Sequence, residues 1–347
     1  MILLTFRDLV YRKVRFVVVT LLGAVVFALL FVMTGLVNQF NLEPFDTVGV
    51  IGADAWVVPE GISGPFTAMS AGPIEAVDLV GAETKAPAVA SRSSLVVDDK
   101  ADEVILIGHE VGGLGSPDTV NGRAAEASGE LVADTSAGLE IGEEVTLGGT
   151  PFTVVGETVN TTLLAGIPVV FVTLSDAQDL VFRTDQVISA VLVDGEVESF
   201  PDGAKVMTAD EVAEDVLEPL DGAIASIDLV RVLLWIVAGI IIGAVVYLSA
   251  LDRQRDFAVL KAVGASNSSL LGSLAIQAVL VAFFAVALAA VLQIFLASMF
   301  PLEVRVPPRA FWQLPALAVV VALAAGVAGM RKVLRSDPSQ AFAGAGA

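Results

Sequence analysis

The chain has 347 residues, of which 55% are hydrophobic, and its formal net charge at pH 7 is −20. A mean hydropathy of +0.80 is too high for an ordinary soluble protein and indicates a membrane protein with a separate polar part. Because the chain has no cysteine, disulfide, redox and thiolate-metal chemistry are excluded.

The first 15 residues, MILLTFRDLVYRKVR, predict an amphipathic helix at the membrane surface. Leu3, Phe6 and Val10 share one face of this helix, and Arg12 lies opposite them. We therefore expect residues 1–15 to form a cytoplasmic elbow helix that leads into the first apolar run.

Four long runs of apolar residues contain no charged side chain, and each is long enough for a transmembrane helix. A helix needs about 20 residues to cross about 30 Å of hydrocarbon. A cleaved signal peptide is the less favoured interpretation of the first run, because its apolar core exceeds the roughly 7–15 residues typical of such peptides. The runs are residues 16–36, 232–251, 270–300 and 311–330.

The predicted fold class is a membrane α-helical protein with four transmembrane helices. A large mixed α+β extracytoplasmic domain is inserted between helices 1 and 2. The predicted boundaries are 16–43 for helix 1 and its extension, 44–228 for the domain, 229–251 for helix 2, 252–266 for a cytoplasmic helix, 267–300 for helix 3, 301–310 for an outer loop, 311–330 for helix 4 and 331–347 for a cytoplasmic tail.

Basic residues predict the orientation in the membrane, because they concentrate on the cytoplasmic side. They precede the first run, separate the second from the third and follow the fourth, so both termini are expected in the cytoplasm of a bacterium. Arg305 and Arg309 lie in the predicted outer loop, against this rule, but the basic residues expected in the cytoplasm are more numerous. The residues expected to anchor the membrane ends are Arg12, Lys13, Arg15, Arg331, Lys332 and Arg335.

Region 44–228 carries the acidity of the chain, with 33 acidic and 6 basic residues and hence a net charge of −27. Such a charge argues against binding to nucleic acid, because phosphates would be repelled. Solubility outside the cell is the favoured interpretation of this charge. Attraction of a cationic ligand or protein partner is the alternative.

Short Val- and Ile-rich runs separated by turn residues predict strands in this region. Gly148–Gly149 predicts a tight hairpin turn. Ser175 is the expected N-cap of a helix over 175–182, and Thr208 that of a helix over 208–217 with Glu211 completing a capping box. The predicted strands lie within residues 48–59, 103–109, 144–157, 167–174 and 190–195.

Residues 251–266, LDRQRDFAVLKAVGAS, form the most informative stretch. It resembles the pattern R-R-E-[IF]-[AG]-x-L-[KR]-A-[LV]-G-A-[ST] of the MacB/FtsX/LolC-type (MacB-like, DevC-like) ABC transporter permeases. In that family this loop contacts the ATPase subunit. An ordinary well-capped loop is the alternative, but it leaves apolar side chains on a cytoplasmic segment unexplained. The residues expected to couple to the ATPase are Arg253, Arg255, Asp256, Phe257, Val259, Leu260, Lys261, Val263 and Gly264.

The resemblance extends along most of the chain. Residues 130–157 are similar to a stretch of the MacB-like periplasmic domain, and residues 168–182 to the strand and helix that follow it there. The sequence RKVLRSDPSQAF, residues 331–342, resembles the closing R-R-x-x-x-x-[DS]-P-x-x-A-[LI] pattern of the family, although simple membrane anchoring explains it nearly as well.

The resemblance implies a non-catalytic permease subunit in the cytoplasmic (inner) membrane. Its implied partners are two copies of a cytoplasmic ABC ATPase, a second permease chain, identical or related, and the lipid bilayer. A protein partner outside the cell is also possible. No cofactor is expected in this chain, because it lacks a G-x-x-x-x-G-K-[ST] loop, so ATP and Mg²⁺ are expected to be bound by the ATPase.

Three function hypotheses follow. The first is a permease that exports or extracts a substrate; the second is an FtsX-like regulator that passes ATPase motion to an outside hydrolase; the third is a membrane-anchored binding protein. The coupling motif disfavours the third. A secondary transporter or proton pump is disfavoured because the four apolar runs contain no charged residue and no histidine. The lone His109 lacks recognisable partners for a catalytic or metal site and is expected at the surface or at a strand end.

Overall fold

The computed structural model describes residues 13–98, 100–252, 267–300 and 302–334. The chain forms two compact units. Residues 40–224 form one unit, which we call the α/β domain. The described residues within 1–39 and 225–347 form the other, which we call the helical domain.

The helical domain is built from long apolar helices. They are α1 (Lys13–Ile51, which ends in the α/β domain), α5 (Asp221–Asp252), α6 (Asn267–Ala297) and α7 (Ala310–Leu334). In the part of the chain that the structure describes, three segments are long and apolar enough to cross a membrane: Phe16–Ile51, Ala209–Leu251 and Ala275–Ala297. Among the described residues, α7 contributes the shorter apolar helix Ala310–Ala324. The expected fourth span, over residues 311–330, therefore stays a prediction.

The α/β domain contains thirteen strands among its described residues. They are β1 (Ala55–Pro59), β2 (Gly72–Pro73), β3 (Thr84–Val97), β4 (Lys100–His109), β5 (Asn121–Gly122), β6 (Glu130–Asp134), β7 (Glu144–Leu147), β8 (Thr150–Thr158), β9 (Thr162–Leu163), β10 (Ile167–Thr173), β11 (Val187–Ile188), β12 (Ala190–Asp194) and β13 (Ala204–Thr208). The domain's three short helices are α2 (Ala76–Leu79), α3 (Leu174–Val181) and α4 (Ala209–Leu217).

One large mixed sheet organises the domain, in the order β13-β1-β12-β3-β4-β10-β6-β8-β5. Strand β7 pairs with β3 and β8, and β9 pairs with β10. The pairs β4–β10 and β6–β8 are parallel. A separate two-stranded sheet joins β2 to β11.

The two central strands are covered on both faces, which explains their uninterrupted apolar sequences. On β10, Phe171 packs into one core cluster and Val172 into another. On β4, Ile105 packs into the first of these clusters and Leu106 into the second. Because successive side chains point to opposite faces of a strand, both faces of this sheet contribute to the core.

The strand predicted within residues 48–59 is confined to its second half, β1 (Ala55–Pro59), because the first half is helical. Helix α1 continues through Ile51, and both Val48 and Ile51 are buried in the core of the α/β domain. Gly52 then adopts φ +73° and its N–H reaches the carbonyl of Val48. Glycine is favoured at this position, because a left-handed residue ends a helix at low cost.

Of three predicted turn and capping signals, two are confirmed and one is wrong. The hairpin at Gly148–Gly149 is confirmed, with φ +57° and +89° between β7 and β8. The capping box of Thr208 and Glu211 is confirmed at the start of α4. Ser175 is not the cap of α3. Thr173 has the extended backbone that an N-cap needs, and its hydroxyl accepts from the Asp176 N–H, whereas Ser175 already lies inside the helix.

Candidate functional site

The predicted coupling helix lies outside the described residues, which end at Asp252 and resume at Asn267. Near this end, the Gln277 side-chain amide on α6 donates to the Ser249 hydroxyl on α5 over 3.1 Å. This hydrogen bond links the two helices that flank the coupling segment. The predicted coupling residues in the undescribed segment are Arg253, Arg255, Asp256, Phe257, Val259, Leu260, Lys261, Val263 and Gly264.

The predicted anchoring residues fall at the ends of the described chain. Lys13 and Arg15 lie in the first turns of α1, and Arg331 and Lys332 lie in the last turns of α7. Arg12 and Arg335 lie outside the described residues. The anchoring role therefore stays a prediction.

The core of the helical domain is dominated by alanine, and its residues recur every three or four positions along each helix. Such spacing places one stripe of small side chains on one face, which allows helices to approach closely. A Cβ built on Gly23 of α1, for example, would lie 3.2 Å from the Cβ of Ala285 on α6. The stripes consist of Ala238, Ile242, Val246 and Ala250 on α5, Ala278, Ala282, Ala285 and Ala289 on α6, and Ala310, Leu314, Ala318 and Ala322 on α7.

Aromatic contacts fill the wider part of this core. The ring centroids of Phe27 and Trp235 lie 5.8 Å apart in an edge-to-face arrangement, joining α1 to α5. Those of Phe31 and Phe311 lie 5.2 Å apart and join α1 to α7. Large rings thus complement the small residues, so that the helices have defined neighbours.

An open apolar groove of about 850 Å³ lies between α5 and α7. Gly239, Gly243 and Tyr247 line it from α5, and Val321 lines it from α7. A Cβ added to Gly239 would lie 3.3 Å from Cγ1 of Val321. The small residue at position 239 therefore permits close helix packing within the chain.

Two buried polar side chains attach the last turns of α1 to the sheet of the α/β domain. The Glu43 carboxylate accepts from the backbone N–H of Gly166 over 2.8 Å, and the Thr47 hydroxyl donates to the carbonyl of Thr162 over 2.7 Å. The turn over 164–166 has three consecutive positive φ angles of 54°, 70° and 93°. Such a conformation is costly for non-glycine residues, so contacts like these help to hold it. The only sequence signal for this attachment is that Glu43, an acidic residue, lies late in an apolar helix, next to Pro44.

A bidentate ion pair stabilises the surface of the same domain. The Arg123 guanidinium donates to both carboxylate oxygens of Glu130, and the N–H groups of Glu126 and Ala127 donate to Glu130 over 3.0 and 3.1 Å. The hydrogen bond from Arg123, supported by the backbone donors, lowers the pKa of Glu130 to about 2. Glu130 is therefore ionised at every pH at which the protein is expected to work.

His109 ends strand β4 and is fully buried, so of its two expected environments the strand end is correct and the surface is not. Its Nδ1 lies 2.9 Å from the carbonyl oxygen of Glu110, and its ring packs against Phe171. Burial lowers the pKa of His109, which is therefore neutral near pH 7. Within the described part of the chain, no three His, Asp or Glu side chains cluster closely enough to hold a metal ion.

Comparison with known proteins identifies the family. Residues 229–338 match the family model described as FtsX-like permease C-terminal. An uncharacterized ABC transporter permease of Mycobacterium tuberculosis (strain ATCC 25618 / H37Rv) is 39% identical over 350 residues, which cover 99% of this chain and 100% of the relative. A second uncharacterized ABC transporter permease of that strain is 38% identical with the same coverage.

Among solved structures, the periplasmic region of MacB from Actinobacillus actinomycetemcomitans is similar to 49% of this chain and 95% of its own, with a TM-score of 0.33 and 14% identity. The assignment rests on the sequence relatives, since they match nearly the whole chain. Members of this family are membrane-embedded and generally non-catalytic, and the name ABC transporter permease implies a partner ATPase subunit. The chain belongs to the family of ABC transporter permeases, and its residues 229–338 match the FtsX-like permease C-terminal model.

Proposed function

We propose that this chain is the transmembrane permease subunit that couples ATP hydrolysis by a separate cytoplasmic ATPase to motion of the α/β domain, and so exports or extracts a substrate. The observation that carries the proposal is the relationship to ABC transporter permeases over 99% of the chain. The FtsX-like family match spans residues 229–338 and so includes the whole segment 252–266. We do not propose the regulator hypothesis, because no observation favours it.

The mechanical part of the proposal is supported by the contacts of α1. This helix contains the first apolar run, and its last turns belong to the α/β domain. There the buried side chains of Glu43 and Thr47 are hydrogen-bonded to the β9–β10 region. In our proposal, a shift of α1 moves the sheet through these two attachments, because buried hydrogen-bonded groups resist separation.

The remaining parts of the proposal concern orientation and partners. Four spans place both termini in the cytoplasm and the acidic α/β domain outside the bacterial inner membrane. Two ATPase subunits bind ATP and Mg²⁺ and act on segment 252–266, and this chain itself performs no catalysis. A second permease chain, identical or related, completes the transporter, and exposed apolar residues of α5 such as Ile236 and Ile240 are available for lipid or for that chain.

The decisive experiment changes Leu260, an apolar residue of the segment that we propose contacts the ATPase. The ATPase is identified by Walker motifs in the neighbouring gene and is co-purified with the permease. Leu260→Asp is expected to abolish co-purification and permease-stimulated ATP hydrolysis, because a carboxylate cannot fill an apolar groove; loss of such an anchor typically costs about 2–4 kcal/mol. Leu260→Met is the conservative variant and should retain most of the stimulation.

Val120→Asp serves as the matched control, since Val120 is an exposed apolar residue of the α/β domain. It should leave both co-purification and ATP hydrolysis unchanged. Membrane insertion of each variant is measured in parallel. A fully stimulated complex that carries Leu260→Asp would refute the coupling role of this segment.

A further inference from the structure

A small apolar cavity of about 170 Å³ opens at the edge of the α/β domain where its two sheets meet. Strand β1 of the large sheet, strands β2 and β11 of the small sheet, and α2 all contribute to its wall. The main apolar residues that line the cavity are Val57, Pro59, Pro73, Leu79, Ile188 and Pro201.

The wall of this cavity is firmly built and selects for apolar groups. Val57 and Ile188 belong to a core cluster of the domain. Of the two polar side chains that line the cavity, Ser189 is buried and its hydroxyl is hydrogen-bonded to the backbone of Ala90. The other, Asp202, is exposed at the mouth. The interior therefore offers no free hydrogen-bonding side chain to a polar ligand.

The size of the cavity indicates a side chain of a protein and not a free small molecule. Ligand pockets usually measure about 300–1,000 Å³, which is well above the volume found here. Protein interfaces, in contrast, concentrate their binding energy in a few anchor side chains that fill small pockets. Three apolar side chains at or near the lining are exposed: Leu79, which lines the cavity, by 60%, and Met69 and Phe200, which lie within two residues in sequence of lining residues, by 74% and 49%.

The charges around the mouth specify the chemistry of the partner. Four exposed carboxylates flank the lining residues, and within the described chain none of them forms an ion pair. Two nearby lysines are turned to backbone carbonyls: Lys85 donates to Val80 over 2.6 Å and Lys205 donates to Ser63 over 2.8 Å. The four carboxylates are those of Glu75, Asp78, Glu198 and Asp202.

We propose that this cavity is a docking site for a protein partner that inserts one apolar side chain flanked by lysine or arginine residues. The apolar side chain fills the cavity, and its basic neighbours face the four carboxylates. Complementary charge of this kind mainly raises the rate of association, whereas the buried anchor sets the lifetime of the complex. Docking on the α/β domain requires no ATPase, so failure of this docking and failure of the proposed function are distinguishable.

The test uses the full-length protein in nanodiscs of neutral phosphatidylcholine, so that anionic lipid does not attract the probes. The probes are fluorescent heptapeptides of sequence Lys-Lys-Gly-Leu-Gly-Lys-Lys, with Gly in place of Leu, or with Ser in place of every Lys. Fluorescence anisotropy should show the Leu peptide binding at least about tenfold more tightly than the Gly peptide, because a leucine side chain is buried. The Ser-substituted peptide should not bind.

Matched variants assign the binding to the cavity. Leu79→Ser should remove the preference for the Leu peptide, whereas Val120→Ser should not. Val120 has a similar exposure of 52% and precedes β5, at the opposite edge of the large sheet. Asp78→Asn combined with Asp202→Asn should lower the affinity for both Lys-containing peptides and reduce the salt dependence of their binding.

Three results would overturn the proposal. Equal binding of the Leu and Gly peptides, or an unchanged preference in Leu79→Ser, would show that the cavity is not the anchor site. Equal binding of the Ser-substituted peptide would show a general apolar site with no requirement for charge. Self-association that is lost in Leu79→Ser, measured by sedimentation, would assign this surface to a second copy of the chain.

Discussion

At the scale of single residues, His109 links the stability of the α/β domain to pH. Its ring is fully buried between Phe171 and the carbonyl of Glu110. Because burial lowers its pKa, the folded state keeps the ring neutral while the unfolded chain takes up a proton below the ordinary value of 6.5. Stability is therefore complete above pH 6.5 and decreases as the pH falls below that value.

We expect the unfolding midpoint of the domain to fall by a few degrees between pH 7.5 and pH 5.5. Trp56 is 1% exposed, and a background with Trp235→Phe and Trp312→Phe leaves it as the only fluorescent reporter among the three tryptophans. His109→Gln should lower stability at pH 7.5 but should abolish the decrease on acidification. An equal decrease in the histidine and glutamine proteins would contradict the assignment to His109.

The Arg123–Glu130 pair acts in a different pH window. Folding lowers the pKa of the Glu130 carboxyl from 4.5, its value in the unfolded chain, to about 2. The pair therefore stabilises the folded domain fully above pH 4.5, and this stabilisation is lost as the pH falls toward about 2. Between pH 7.5 and pH 5.5 the pair is unchanged. The two titrations can therefore be separated by the choice of pH.

At the scale of the elements, close packing of α6 depends on its alanine stripe. Ala282 is 0% exposed in the core of the helical domain. Ala282→Leu adds three carbon atoms where no space exists, and such overpacking costs about 1–3 kcal/mol. Thermal unfolding of the detergent-solubilised protein, followed by Trp235 fluorescence, should show a clearly lower midpoint.

Ala287→Leu provides the matched control, because position 287 lies on the exposed side of the same helix. It makes the same chemical change and should leave the midpoint nearly unaltered. A large decrease of the unfolding midpoint in both variants would indicate that the substitutions disturb helix length or membrane insertion, and not the packing of the stripe. Equal stability of both variants and the parent protein would refute the packing role of Ala282.

Element boundaries show how far local signals reach. The capping box of α4 and the Gly-Gly hairpin follow from short-range chemistry, and both were predicted correctly. The cap of α3 was misplaced by two residues, because Thr173 and Ser175 are both chemically suited to the role. The end of β10 decides between them: it gives Thr173 the extended backbone that an N-cap requires.

At the scale of the whole molecule, the charge distribution predicts the orientation in the membrane. The chain has no cysteine, so a single introduced thiol reports on one position only. In intact cells, an impermeant thiol reagent should label Ser128→Cys, in the α/β domain, without permeabilisation. Ser268→Cys, at the start of α6, should react only after permeabilisation. Labelling of Ser268→Cys but not of Ser128→Cys in intact cells would show that the orientation is opposite to the predicted one.

The sequence by itself determined the membrane class, the acidic α/β domain and the permease family. Long apolar runs, net charge and a contiguous motif are properties of composition and local order, and they need no knowledge of contacts. These features are visible because hydrocarbon and water impose their requirements on every residue of a segment at once.

Only the tertiary structure decided which residues meet across long separations. It brings Glu43 into contact with Gly166, packs the buried stripes of α5, α6 and α7 into one core cluster, and forms an apolar cavity from β1, α2 and β11. No local signal specifies the partners in these contacts, since each pairing depends on the order of the strands or on the mutual rotation of the helices. Such choices are made by the packing of the whole core, where many weak contacts act together.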